Sequence, residues 1–229
     1  MNYLVEGLRQ AAQLILSFDA EIVTITLISL KISTLAIICA SAIGVPVGFL
    51  IGVNTFKGRN SLITLLNTMM AFPTVVVGLL VYSIVSNQGP LGPLGLLFTP
   101  AAMVIGQVIL STPIVMALTI SATQGVDPRI KKTAIVLGAN VVQSGLAIVR
   151  EARFAIMAAV VAGFGRVIGE VGASMMLGGN IRGYTRNIPT AIALETSKGE
   201  FGLGIALGII LLSVALVINF FMRFLQSSR

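Results

Sequence analysis

Arg166 and Glu170 stand four positions apart in the otherwise apolar stretch from Phe164 to Met176. At helical spacing they share a face and can form an ion pair. Left alone in an apolar layer, either charge would cost several kcal/mol, from about 3 to 10 or more. Two readings fit them: a mutually neutralised pair buried between helices or near an interface, or the lining or gate of a polar path. A second polar group follows in Gly178–Ile192, where Asn180, Thr185 and Thr190 bring an amide and two hydroxyls into a glycine-rich turn beside Arg182 and Arg186. A third, Gln124–Arg153, gathers Arg129, Lys131, Lys132, Arg150 and Arg153. Bond-making chemistry has little to work with. The sequence has no histidine and one cysteine, Cys39, which excludes disulfides, thiolate metal clusters and histidine-based catalysis. No catalytic, cofactor or metal site is expected on this chain.

The elements that must position these residues are membrane spans. The 229 residues are 56% hydrophobic and 10% charged, a balance far from that of a soluble domain. Residues 1–20 lack the basic start and long apolar core of a signal peptide. There Leu4, Leu8, Ile15 and Phe18 alternate at helical spacing with Asn2, Glu6, Arg9 and Gln13, which predicts an interfacial helix. Residues 21–229 hold five stretches that reach the roughly 20 residues a bilayer requires: 22–53, 61–86, 100–122, 154–176 and 203–224. Pro46, Pro73 and Pro113 fall inside them, and Cys39 reads as a small packing residue. With the N-terminus outside, the inner segments carry Lys57, Arg59, the five cations of the central loop, Arg223 and Arg229. The outer ones carry Arg9, Arg182, Arg186 and Lys198. That asymmetry makes 124–153 and the C-terminus cytoplasmic, and explains the +7 formal charge without nucleic acid. No internal repeat or paired broken segment is visible.

The central loop reads as a built element. Asp127-Pro128 supplies an N-cap and a first-turn proline, Gly138 suits the left-handed position that ends a helix, and Asn140 caps a second short helix through Ile148. Ala134, then Gly138 four residues on and Ile148 ten further, resembles the cytoplasmic signature of ABC importer permeases: a Glu-Ala-Ala triplet, a glycine, an isoleucine and a Leu-Pro pair. Lys132 and Thr133 replace Glu and Ala here, and Arg150 and Glu151 replace Leu-Pro. The resemblance implies that Asp127, Lys132, Ala134, Gly138, Ala139 and Ile148 couple to a separate ATPase subunit. The chain has no G-x-x-x-x-G-K-[ST] phosphate loop, so ATP and magnesium belong on that partner.

Downstream, Gly169-Glu170-Val171-Gly172-Ala173, the run Gly178-Gly179-Asn180-Ile181-Arg182-Gly183-Tyr184-Thr185 and Pro189-Thr190-Ala191-Ile192 are similar to the sulfate/molybdate/tungstate branch of these permeases. With Ala193–Phe201, they look most like the tungstate type. The resemblance implies an all-α integral membrane protein of about five spans in the type I importer permease fold, with the interfacial N-terminal helix in addition. It implies two copies forming the path, a cytoplasmic ATPase dimer and an extracytoplasmic oxyanion-binding protein. Segment 178–200 would be the outer gate, with Arg166, Glu170, Asn180, Gly183, Thr185 and Pro189 as pathway or gate residues. Neutral donors such as Asn180, Thr185, Thr190 and turn N–H groups can recognise a tetrahedral oxyanion. Arg182 and Arg186 either attract it at the entrance, anchor to lipid headgroups or pair with acids on a partner. The small residues Ala158, Ala162, Gly165, Gly169 and Gly172 recur every three to four positions and predict close helix packing, at or near the dimer interface. A self-contained anion carrier or channel is the rival class. It predicts further intramembrane carboxylates or paired broken helices.

Overall fold

The computed structural model describes residues 2–227, and the described residues form helices and turns with no strand. The side chains of Asn2 and Leu4, and Arg229, lie outside what is described. Ten α-helices follow in order: α1 Asn2–Leu16, α2 Ala20–Val53, α3 Arg59–Met70, α4 Thr74–Val85, α5 Pro100–Gln124, α6 Pro128–Val136, α7 Val141–Ile168, α8 Gly172–Gly178, α9 Ile188–Lys198 and α10 Phe201–Ser227.

The spine is the α2–α5 pair. Asp19 starts α2 by accepting the N–H groups of Glu21 and Ile22 at 2.9 and 3.2 Å. At its far end Arg59 reaches back, Nε to the Ile51 carbonyl at 2.8 Å and Nη2 to that of Gly52 at 3.0 Å, satisfying carbonyls a helix C-terminus leaves open. Thr99 and Pro100 open α5 as N-cap and first-turn proline. The two helices approach so closely that a Cβ on Gly48 would lie 2.8 Å from the Met116 carbonyl oxygen. At one end of the molecule Ile32, Val81, Met103, Leu110 and Leu177 form a core. A second core joins Ala11 of α1, Ile25, Ile188 and Leu207, so α1 packs on α10 with Ala11 fully buried while Val5, Leu8 and Leu16 stay exposed. The outward residues of α2 and α10, such as Leu27, Leu35, Ile38, Leu212, Leu216 and Phe220, are apolar and exposed, as lipid-facing surfaces require.

Three helices, α2, α5 and α10, are each long and apolar enough to cross a membrane, and two bent pairs bring the total to five. The bent pairs correct the sequence reading. Residues 61–86 are two helices at 95°, α3 and α4, broken at Ala71–Pro73. Pro73 has no N–H to offer α3 and biases Phe72 away from helix, so the chain turns instead of kinking. Residues 154–176 are likewise divided, α7 meeting α8 at 61°. The two breaks are neighbours: a Cβ on Gly78 of α4 would touch the Ala173 Cα of α8 at 3.0 Å. Two spans are therefore broken where the sequence reading had them continuous. Asn140 does cap a helix, with the reciprocal Asn140–Gln143 box, but that helix is not short. It runs 28 residues to Ile168 because no proline interrupts it. Cys39 is exposed on α2 and not packed.

Candidate functional site

At the α7–α8 bend, α7 ends at Ile168 with Gly169 as its C-cap, so Glu170 lies outside the helix. The ion pair forms all the same: Arg166 Nη1 donates to Glu170 Oε2 at 2.8 Å. The other carboxylate oxygen accepts the Ala173 N–H at 3.1 Å, which fixes the first turn of α8. The side chain of Glu170 is 3% exposed and that of Arg166 is 38% exposed. Nearby, Gln107 of α5 donates to Ser174 of α8 at 3.4 Å, and its own oxygen is buried without a hydrogen-bond partner. The sequence reading passed over both residues. A lone glutamine inside an apolar run was the signal that could have found the first.

The small-residue stripe is divided in its role. Gly172 packs, its place for a Cβ lying 3.0 Å from both Thr74 Oγ1 and Val75 Cγ2. Ala158, Ala162, Gly165 and Gly169 are exposed, and a Cβ on Gly165 would meet nothing within 4 Å. The close approach inside this chain is made instead by Gly163, 2.9 Å from Val115 Cγ2 by the same measure.

The segment after α8 is a self-locked loop. Thr185, fully buried, donates to the Gly178 carbonyl at 2.5 Å and accepts the Ile181 N–H at 3.0 Å. Asn187 and Thr190 form a second capping box that starts α9, with Pro189 buried in its first turn. These hydroxyls are occupied by their own backbone, so Thr185 and Thr190 shape the loop and do not offer donors outward. Asn180 adopts φ +51°, its Nδ2 reaches the Thr190 carbonyl at 3.4 Å, and its Oδ1 is buried without a partner. Gly183 is exposed at φ +72°. Arg182 and Arg186 both bind Glu21 at the start of α2, Arg186 at 3.2 Å, and Arg186 lies 3.8 Å from Glu195, which Lys198 also holds at 3.0 Å. The acids that pair these arginines are thus on the same chain. Ile188 N–H donates to Ser29 Oγ at 2.6 Å, a buried tie from α9 to α2. Glu21, Ser29, Asn187 and Glu195 escaped the sequence reading, although Asn187 with Thr190 three residues on is a capping signature.

On the opposite side of α7's length, α6 has no buried residue. Asp127 accepts the Arg129 N–H at 2.8 Å to open it, and Gly138 at φ +85° closes it, with Ala139 N–H on the Ala134 carbonyl at 2.9 Å. Ala134 and Ala139 are half-buried, Lys132 and Gly138 exposed. Leu137 and Val141 are 80% and 90% exposed, so an apolar corner stands free. A cleft of about 730 Å³ lies between it and the end of α2, lined by Phe49, Val53, Ile135, Val142 and Leu146 among others. Ile148 differs from its companions: it is buried and faces the interior.

Residues 44–229 match the family described as binding-protein-dependent transport system inner membrane component. The chain is 39% identical over 219 residues to the tungstate uptake system permease protein TupB of Peptoclostridium acidaminophilum, covering 96% of each. It is 30% identical over 200 residues to the molybdenum transport system permease protein ModB of Escherichia coli K12, covering 83% of this chain and 86% of that one. Its fold resembles a chain of the crystal structure of a bacterial alginate ABC transporter in complex with alginate pentasaccharide-bound periplasmic protein. The TM-score is 0.71 at 18% identity, over 99% of this chain and 88% of that one. Multi-pass apolar helices, two of them broken, and this match along most of the chain lead to one conclusion: the protein belongs to the inner-membrane permease components of ABC-type, binding-protein-dependent transport systems.

Proposed function

We propose that this permease imports a tetrahedral oxyanion, tungstate before molybdate, as a homodimer driven by a separate ATPase. The observation that carries the cargo is the match, end to end, to a tungstate uptake permease at 39% identity, against 30% for a molybdenum permease. Coupling is assigned to residues 124–153. The α6–α7 corner is capped at both turns and leaves Leu137 and Val141 exposed among the described residues. Such an apolar, preorganised corner suits a groove on an ATPase, which supplies ATP and magnesium. The second copy is assigned to the uncovered flank of α7 at Ala158 and Ala162, where backbones can approach closely while the space beside Gly165 stays open. The N-terminus lies outside and the C-terminus inside, on the distribution of basic residues. The loop Gly178–Lys198 then faces the external binding protein, as a transporter of like fold is found with a periplasmic protein.

The test is uptake into proteoliposomes holding this chain, its ATPase and its binding protein, with labelled tungstate competed by molybdate and sulfate. ATP-dependent uptake, displaced best by tungstate, is expected. Preferential displacement by molybdate would transfer the assignment to that anion. Uptake by the chain alone, without nucleotide, would refute the reading.

A further inference from the structure

Glu170 serves two partners with its two oxygens, Arg166 at 2.8 Å and the Ala173 N–H at 3.1 Å. The acid is sealed in, while more than a third of the arginine side chain is exposed. Beside that arginine on α7, Gly165 and Gly169 are exposed, with open space where a Gly165 side chain would project. The break next to it, Ala71–Pro73, is exposed as well and is held in place by Thr74 against Gly172. Non-helical backbone and a partly open charge at membrane depth are tolerated where water reaches them, not where lipid does.

We infer that Arg166 is a transit site for the oxyanion and that Glu170 is its resident competitor. This rests on the oxyanion-permease reading and deepens it. A bare guanidinium in a low-dielectric passage would hold a dianion too firmly to release it. A carboxylate tethered four residues away, at the break, removes that difficulty. The cargo takes Nη1 from Glu170, Glu170 keeps its bond to the Ala173 N–H so that α8 stays in place, and its return to Arg166 expels the cargo. With the cargo on Arg166 the site carries excess negative charge, because Glu170 is then held only by the Ala173 N–H, and that excess drives Glu170 back to Arg166 and the cargo out.

Glu170→Gln separates the two duties. It keeps a carbonyl oxygen for the Ala173 N–H and removes the charge that competes for Arg166. In the purified permease–ATPase complex without binding protein, labelled tungstate should be retained by this variant at a concentration about tenfold or more below that needed for the wild type. In proteoliposomes its uptake turnover should fall about tenfold or more, with half-saturation moving to lower concentration, the signature of a cargo bound better in its ground state. Lower turnover without any gain in tungstate retention would show a purely structural pair and overturn the proposal. Should Glu170→Gln fail to assemble, the neutral double variant Arg166→Gln/Glu170→Gln decides: lost uptake and no retention, with the ATPase still co-purifying, are expected. Uptake at the wild-type rate would overturn it. Failure of the parent reading shows separately, as a wild-type complex that carries no oxyanion.

Discussion

Thr185→Val keeps the shape of a fully buried side chain and deletes its hydroxyl. Two partners lose their bond at once: the Gly178 carbonyl, at 2.5 Å, and the Ile181 N–H, at 3.0 Å. Both sit in the tight return after α8, where no other described side chain replaces the hydroxyl. An unsatisfied buried donor or acceptor costs about 1–3 kcal/mol; the Gly178 carbonyl bond is buried and the Ile181 N–H bond only part-buried, so the pair predicts a loss of about 2–4 kcal/mol, below the full sum. For a chain of this size that corresponds to a fall of about 4–16 °C in melting temperature. Thr185→Ser retains the hydroxyl and gives up one buried methyl, about 1 kcal/mol. Thermal unfolding of the purified complex, followed beside tungstate uptake, distinguishes loop construction from cargo contact. Uptake is expected to fall in step with stability in the valine variant and to survive in the serine one. A valine variant that melts with the wild type yet carries no anion would refute this reasoning, and would return Thr185 to the lining of the path.

Gly138→Leu places a branched side chain at φ +85° with nothing within 4 Å to clash. It should cost only about 1–2 kcal/mol locally, leave membrane insertion intact and abolish co-purification with the ATPase. Gly48→Val drives Cβ to 2.8 Å from the Met116 carbonyl oxygen and should cost about 1–3 kcal/mol or more through overpacking of the spine, read as a lower yield of folded protein and a lower melting temperature. Glu21→Gln should destabilise by about 1–2 kcal/mol because the poorly exposed Arg186 loses its nearer partner. Arg182→Ala should change stability by less than about 1 kcal/mol, since that arginine is largely solvated. A double-mutant cycle between Glu21 and Arg186, repeated at high salt, measures the coupling.

What the sequence disclosed depended on how local the physics was. The five apolar stretches were legible, as were the Asp127-Pro128 start and the Gly138 stop of α6, because capping and hydropathy act within a few residues. The breaks were not. Pro73 looks like Pro46 and Pro113, yet those two lie inside continuous helices while Pro73 turns the chain by 95°. α3 packs on α2 and α5 through Leu66, Ile51 and Ile120, a tertiary contact that no local proline signal discloses. The Arg166–Glu170 pair was read correctly as a contact, but a shared helical face was the wrong reason. Glu170 reaches Arg166 from the break itself, and only coordinates reveal its second bond. The partners of Arg182 and Arg186 were hidden by separation: Glu21 lies 161 and 165 residues away, and no spacing rule joins them.

The unbroken course of α7 has a further meaning. From its cap at Asn140 to the bend at Ile168 it is a single rod of about 40 Å, anchored at one end in the exposed corner and carrying Arg166 near the other. A continuous hydrogen-bonded helix is stiffer than a loop of equal length. On the coupling and transit proposals above, a tilt imposed at the corner would reach the guanidinium through backbone alone, with no relay of side chains between the two ends.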